Sequence, residues 1–247
     1  MPVTTALVAT AALLLTACGG SGDDGEGSKG SKGDGSDKAA GASAAPAKKK
    51  PTKSAAQLAL AKDEVPAHTV VKPSDNFVFA KSRDGIKHDK PVCAPLSHAM
   101  NQFPVGDARD SFVRVAEKKE FDGAFTYVTL ATYAPGKAEA AMASVSKAVG
   151  ACKGGFTAKG DKASNSYSSI TRETTGIPPT PGADESLAFK AATKYEGDTH
   201  TVQTQVTRHG DTIAIYSAVD GNAFVQKRPG TGKIFPAVVK SQEAKLS

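Results

Sequence analysis

Aromatic side chains carry much of a globular core, and none occurs in this chain before residue 77. The ten Phe and five Tyr all lie at or beyond that point. Residues 19–53 also lack Val, Ile and Leu, and consist mostly of Gly, Ser, Ala, Asp and Lys. Such a tract cannot bury enough apolar area to offset the entropy of ordering it. It reads as a tether, acidic at its front (Asp23, Asp24, Glu26) and basic at its end (Lys48, Lys49, Lys50, Lys53). Folding is thereby confined to 54–247, one domain of ordinary size.

The segment ahead of the tether explains why a tether is present. Residues 6–15 form a short apolar run, Ala-Leu-Val-Ala-Thr-Ala-Ala-Leu-Leu-Leu, although Met1 to Ala6 carry no Lys or Arg. The run is too short for a bilayer core of about 30 Å and has the length of a signal-peptide h-region. It ends in Leu15-Thr16-Ala17-Cys18-Gly19, directly at the break into polar sequence. That order is the arrangement of a bacterial lipoprotein signal. Residues 1–17 are expected to be removed, leaving Cys18 as a lipidated first residue, with diacylglycerol on its thiol and palmitate-type acyl chains as the anchor. An ordinary secretory signal cleaved near Ala17 is the alternative. The lipid reading puts 54–247 at the cell membrane, facing outward from the cytoplasm.

Export determines how the remaining cysteines are read. With Cys18 assigned to the lipid, Cys93 and Cys152 form an even pair in an oxidising compartment, and a disulfide between them is expected. There is no Cys-x-x-Cys, and His68, His88, His98, His200 and His209 are scattered without zinc-helix spacing. No metal and no cofactor is expected. Within 54–247 there are 24 Lys/Arg against 20 Asp/Glu and no aromatic-interleaved basic stripe. A nucleic-acid partner is therefore not expected.

Local patterns give an element order. Ser54 to Asp63 reads as a helix capped by Ser54 and stopped by Pro66. His68–Val71 and Phe77-Val78-Phe79 read as short extended pieces, and Cys93 to Gln102 as a helix. Phe112–Val115 and Phe125–Leu130 read as a hairpin around Asp122-Gly123, a pair suited to a type I′ turn. Lys137 to Cys152 carries Ala138, Ala141, Met142, Val145, Ala148, Val149 and Cys152 on one helical stripe. It ends at Gly154-Gly155. Strands follow at Ser166–Thr174, Leu187–Tyr195, Thr201–Thr207 and Ile213–Val219. On the third of these, Gln203, Gln205 and Thr207 alternate with Val202, Thr204 and Val206, the pattern of a sheet with one wet face. Pro236–Leu246 closes the chain as an amphipathic helix. The order has hairpins and no repeated βαβ unit. It predicts an α+β fold, an antiparallel sheet of about five or six strands with helices packed mainly on one face.

Signatures of catalysis are missing. No Gly-x-Ser-x-Gly elbow and no His-Glu-x-x-His is present. Gly230-Thr231-Gly232-Lys233 lacks the spacing of a phosphate-binding loop and reads as a turn. Asp63-Glu64 and Asp184-Glu185 read as solvated loop charges. No catalytic residue is assigned, and the chain is expected not to be an enzyme. One feature favours binding. Phe125, Tyr127, Ala131 and Tyr133 share a strand face, while Val128 and Leu130 make the opposite face apolar as well. Phe125, Tyr127 and Tyr133 are thus candidate ligand-binding residues lining an apolar cleft, with plain core packing as the alternative.

A family resemblance rests on several of these stretches. They are Leu58-x-Leu60…Asp63-Glu64-Val65-Pro66, Cys93-Ala94-Pro95-Leu96, Leu130-x-Thr132-Tyr133 and Ala151-Cys152-Lys153-Gly154-Gly155-Phe156. Together with the hairpin they resemble the extracellular sensor domain of PknH-type bacterial Ser/Thr kinases, a domain also found in stand-alone exported lipoproteins. The resemblance covers most of 54–247. It implies a non-catalytic ligand-binding or sensing domain, an α/β sandwich with a cleft, stabilised by disulfides. The family pattern has two disulfides, and this chain has cysteines for one. These 247 residues include no kinase domain, so any signalling would run through a partner. The expected ligand is a small molecule, a lipid or a wall component. The alternative is a structural lipoprotein presenting a surface to an envelope protein or wall partner, and an unrecognised hydrolase ranks last.

Overall fold

The computed structural model describes residues 53–74 and 79–247. The leader, Cys18 and the tether up to residue 52 lie outside the described residues, as do Phe77 and Val78.

Helix α1 (Ala55–Leu58) begins where the sequence places a cap. Gln57 N donates to Ser54 Oγ at 3.3 Å, and Ser54 N donates to Gln57 Oε1 at 2.9 Å. The reciprocal box satisfies two amides that a helix start leaves open. The helix does not run on to Asp63. Gln242, far along the chain, donates to Leu58 O at 2.9 Å and accepts from Leu60 N at 3.2 Å. It takes over backbone groups that a further turn would need.

The strands build one sheet of ten, larger than the five or six that the patterns suggest. They are β1 (His68–Val71), β2 (Lys87–His88), β3 (Asp110–Lys118), β4 (Ala124–Thr132), β5 (Phe156–Lys159), β6 (Ser164–Glu173), β7 (Glu185–Tyr195), β8 (Asp198–His209), β9 (Thr212–Asp220) and β10 (Gly230–Thr231). The order across the sheet is β1-β3-β4-β9-β8-β7-β6-β5-β2, with β10 paired to β8. Apart from β10 and β8, which run parallel, the pairings are antiparallel. Three strands are additions to the expected set. β2 and β5 are too short to show an alternation. β10 replaces the expected turn because β9 stops pairing with β8 beyond Gln203↔Ala218, leaving His200 and Thr201 to receive Gly230 and Thr231. Glycine is needed on this approach. A Cβ at Gly230 would collide with Ala223, and one at Gly232 with the Ala218 carbonyl.

Turn geometry also departs from expectation at one hairpin. The loop between β3 and β4 spans 119–123, and only Gly123 in it has positive φ, +78°. The type I′ turn is therefore absent. Asp122 instead takes part in a longer loop, accepting from Lys118 Nζ at 2.6 Å and from Ala124 N at 3.1 Å. The two-residue turn with both central φ positive occurs at Glu196-Gly197, +50° and +96°, where Tyr195 pairs Asp198.

Helices cover both faces of the sheet, a correction to the expected one-sided packing. On the first face lie α2 (Ala94–Met100), entered through a 3-10 turn at Pro91–Cys93, and α3 (Lys137–Ala151). Their apolar stripes meet Tyr167, Phe189, Val206, Ile213 and Ile215. The Cys93–Cys152 disulfide joins the start of α2 to the end of α3. On the second face lie α1 and α5 (Pro236–Leu246), over Val70, Ala116, Val128, Leu130, Ala214 and Tyr216. A short helix α4 (Gly221–Val225) follows β9. The cause is visible in the central strands. β4 and β9 are apolar on both faces, and two apolar faces require two covers.

The predicted wet side of β8 is covered as well. Gln203, Gln205 and Thr207 are buried. Each has partners: Gln203 Nε2 donates to Glu173 Oε2 at 2.7 Å, Gln205 Nε2 donates to Pro178 O at 2.9 Å, and Thr207 Oγ1 donates to Glu243 Oε1 at 2.9 Å. Polar side chains are tolerated inside once bonded in this way.

Candidate functional site

The candidate aromatic face separates into two environments. Tyr133 lies in the first core, and its hydroxyl donates to Val105 O at 2.6 Å. Burial pushes that hydroxyl well above the usual tyrosine range. Phe125 and Tyr127, further along β4 on the same face, are only half-buried. Their rings lie 6.4 Å apart, and Phe125 is 5.6 Å from the exposed Phe121. Tyr127 pairs with Val115 and Phe125 with Glu117, so this strip sits where β3 and β4 run past the cover of α2 and α3. The structure therefore brings Phe125 and Tyr127 together and puts Tyr133 elsewhere.

Next to this strip, at the free edge of β3, is a cleft of ≈ 320 Å³. β1 pairs with β3 from Val115 to Lys118 only, so Ser111–Arg114 have no strand on that side among the described residues. Phe103, Phe112 and Val113 supply apolar wall; Lys72, Lys81 and Arg114 supply charge. Gln102 at its margin has φ +67°, a left-handed backbone for a non-glycine residue. It is placed there by the end of α2, where Asn101 N donates to Ser97 O and His98 O, both at 3.1 Å, and Asn101 Nδ2 donates to Ser97 O at 2.8 Å. Phe103 N donates to His98 O at 3.0 Å, so the left-handed Gln102 closes α2 as an ordinary helix C-terminal cap. The sequence reading missed Lys72, Lys81, Gln102 and Arg114. Only Arg114 left a trace, as a lone cation inside the β-run Phe112–Val115.

A second, larger cleft of ≈ 820 Å³ opens on the other face, beside β6, β7 and the segment leading into α5. Charged side chains are frequent in its lining, and all three of its acids are paired, although Lys233 also lines it without an ion pair among the described residues. Lys190 meets Glu173 at 2.6 Å, Lys118 meets Asp122 at 2.6 Å, and Arg228 meets Asp220 at 3.2 Å. The hydrogen bond from Lys118 holds the Asp122 carboxyl below the usual range. Gln203 fixes the floor by accepting from Ile234 N at 2.9 Å while donating to Glu173.

Two histidine clusters have the composition of chemical sites. His88 and His98 stand edge-to-face with centroids 5.6 Å apart. Burial pushes His98 down to about 4, helped by the positive charges of His88 and Arg83. Burial lowers His88 too. Under α5, Glu243 accepts from Tyr216 Oη at 2.6 Å and Thr207 Oγ1 at 2.9 Å, and its other oxygen meets His209 Nε2 at 2.7 Å. Glu243 is 2% exposed and lines neither cleft, so this network pins a helix to the sheet. Among the described residues no group of three or more His, Cys, Asp and Glu could hold a metal. Nor is any helix among them long and apolar enough to cross a membrane.

No family model matches the chain, and no curated protein does. Solved structures do. The extracellular domain of PknH from Mycobacterium tuberculosis matches with 9% identity over 77% of this chain and 91% of that one, at a TM-score of 0.47. An uncharacterised protein from Mycobacterium smegmatis, an Rv0999 ortholog, matches with 14% identity over 73% and 88%, at a TM-score of 0.37. Both are likenesses of structure alone.

Proposed function

We propose that this chain is an exported, lipid-anchored protein whose folded unit binds a ligand without transforming it, at the cleft on the β3 edge. The observation that carries the reading is the position of that cleft. Apolar walls at Phe103 and Val113 adjoin a sheet face left half-covered at Tyr127 and Phe125, with Lys72 and Lys81 at the margin. A concave apolar site with a few convergent polar groups is the usual form of a small-molecule site. The leader and Cys18 support the anchor, and the tether would hold the folded unit off the membrane.

Mass spectrometry of the protein purified from its own envelope tests the binding. A co-purified compound should disappear from a Val113→Trp variant that fills the cleft. The same compound retained by that variant, or no compound in repeated preparations, would refute the site. For the anchor, Cys18→Ala should move the protein from the membrane fraction to the soluble one, and continued membrane association would refute lipidation.

A second reading is supported by a different region. Phe121, Tyr195 and Val225 are exposed on the β3–β4 loop, the β7–β8 turn and α4. These elements meet, since Gly221 N donates to Gly123 O at 2.7 Å and Tyr195 lies 5.5 Å from Phe224. An interaction lipoprotein would use such tips on an envelope partner. Crosslinking in intact cells from Phe121 and Val225 tests this, and a purely monomeric pattern would count against it.

A further inference from the structure

Resting on the ligand-binding reading above, we propose that the β3-edge cleft takes an amphiphilic anion: a carboxylate or phosphate head on an acyl or aryl body. The two clefts differ in how their charges are matched. In the larger one each of the acids Glu173, Asp122 and Asp220 has a cation partner. In the smaller one Lys72, Lys81 and Arg114 are present, and no Asp or Glu lines it among the described residues. Over 54–247 acids and bases nearly balance, so three cations with no acid among the described lining residues is a local departure. Beside apolar walls, which lower the local dielectric, such a cluster attracts an anion more strongly than the same charges would in open water.

Arg114 is held for this role. Its Nε donates to Leu60 O at 3.3 Å and its Nη1 to Val113 O at 3.5 Å, and the guanidinium sits 4.2 Å from the Phe112 ring centroid. These contacts hold the fork on the second-face side of the β3 edge, across the strand from Val113, without supplying a counter-charge, so a ligand head there would reach round the edge from a body on the first face. A fixed guanidinium matches the paired oxygens of a carboxylate or phosphate. The Gln102 side chain, and the amides of Ser111–Arg114 facing away from β4, provide neutral donors nearby. Phe103 and Val113 would take the first part of the apolar body, and Tyr127, one register step from Val113 on the same face, its continuation.

Four probes of one chain length separate the possibilities: decanoate, decyl phosphate, 1-decanol and decylammonium, titrated calorimetrically into the full chain. At least one of the two anions should bind about tenfold or more tighter than decanol, the scale of one charge-assisted contact, and decylammonium weakest. The preferred anion tells a carboxylate source from a phosphate source. A Lys72→Gln/Lys81→Gln variant, altered only at exposed side chains, should lose about tenfold in anion affinity with its thermal midpoint unchanged. Arg114→Lys should weaken binding less than Arg114→Gln. Decanol binding as tightly as decanoate and decyl phosphate, or an unchanged affinity in the double variant, overturns the anion class while leaving a ligand cleft intact. Failure of all four probes, with a different compound captured from the envelope and lost in Val113→Trp, also overturns it. Failure of all four with no compound captured removes the ligand-binding reading itself.

Discussion

The two faces of the sheet are closed by different means. Over the first face, α2 and α3 pack apolar stripes and are joined by a disulfide, so covalent linkage and non-directional burial do the work. Over the second, α5 is placed by two buried polar side chains. Gln242 reaches α1, and Glu243 reaches Tyr216, Thr207 and His209. An apolar stripe can slide or rotate a little at small cost, whereas a carboxylate accepting from three fixed donors cannot. The first face therefore resists opening, and the second specifies register.

Four measurements would break or sharpen this contrast. The largest effect is expected from Cys93→Ala/Cys152→Ala. The two residues are 59 apart in sequence, and opening a loop of that length should cost about 4 kcal/mol in a chain-entropy account. Urea unfolding of oxidised protein and variant reads it, and a change below a quarter of that would mean that α2 and α3 hold the first face unaided. Next is Glu243→Ala, which leaves Tyr216, Thr207 and His209 without their acceptor in a buried site. A loss of roughly 3 kcal/mol is expected, with Glu243→Gln recovering part of it. Equal losses for Ala and Gln would show that the carboxylate charge, not hydrogen-bonding capacity, secures α5.

The third test uses pH. His98, on the first face, is held down to about 4, against an ordinary value of 6.5, by burial and by the charges of His88 and Arg83. Because the unfolded chain takes up this proton first, the stability is whole above pH 6.5 and is lost as pH falls from 6.5 towards 4. At pH 5 the deficit from this group is roughly 2 kcal/mol. His98→Gln should flatten the stability–pH curve in that window, and an unchanged curve would place the acid sensitivity elsewhere. The smallest effect is expected at the rim of the second face, where Lys245 Nζ meets Glu64 at 2.6 Å. This pair is largely solvated, so Lys245→Ala should cost roughly 0.5 kcal/mol, and less in high salt.

The sequence made the first face largely legible and the second much less so. The stripe from Ala138 to Cys152 and the even pair Cys93 and Cys152 point to helices on a sheet, because periodicity and cysteine pairing are local or arithmetic signals. The second face depends on Gln242, which falls on the helical stripe of Val238, Val239 and Leu246, and on Glu243, a charged residue beside that stripe. Their partners lie 182 and 27 residues away, at Leu60 and Tyr216, and no local signal joins them. Gln203 and Gln205 looked wet for the same reason. Among the candidate site residues, Phe125 and Tyr127 stood out through alternation, whereas Tyr133, with the same parity, went to the core because α2 and α3 cover that end of β4. The cations of the β3-edge cleft were illegible, since Lys72, Lys81 and Arg114 converge only through β-pairing and the exit from β1.

The capping box at Ser54 carries one more consequence. Ala55 N donates to Asp110 Oδ2 at 2.8 Å, which fixes the point where the chain joins the folded unit at the start of β3. β3 then runs nine residues to Lys118, roughly 26 Å at strand rise, before the loop that bears Phe121. A load applied through the preceding segment would thus enter at one pole of the sheet, and the exposed aromatic tips would stand at the other. The described unit has its chain entry at Ala55 and its exposed Phe121 at opposite ends of β3, and the length of a single strand sets the distance between them.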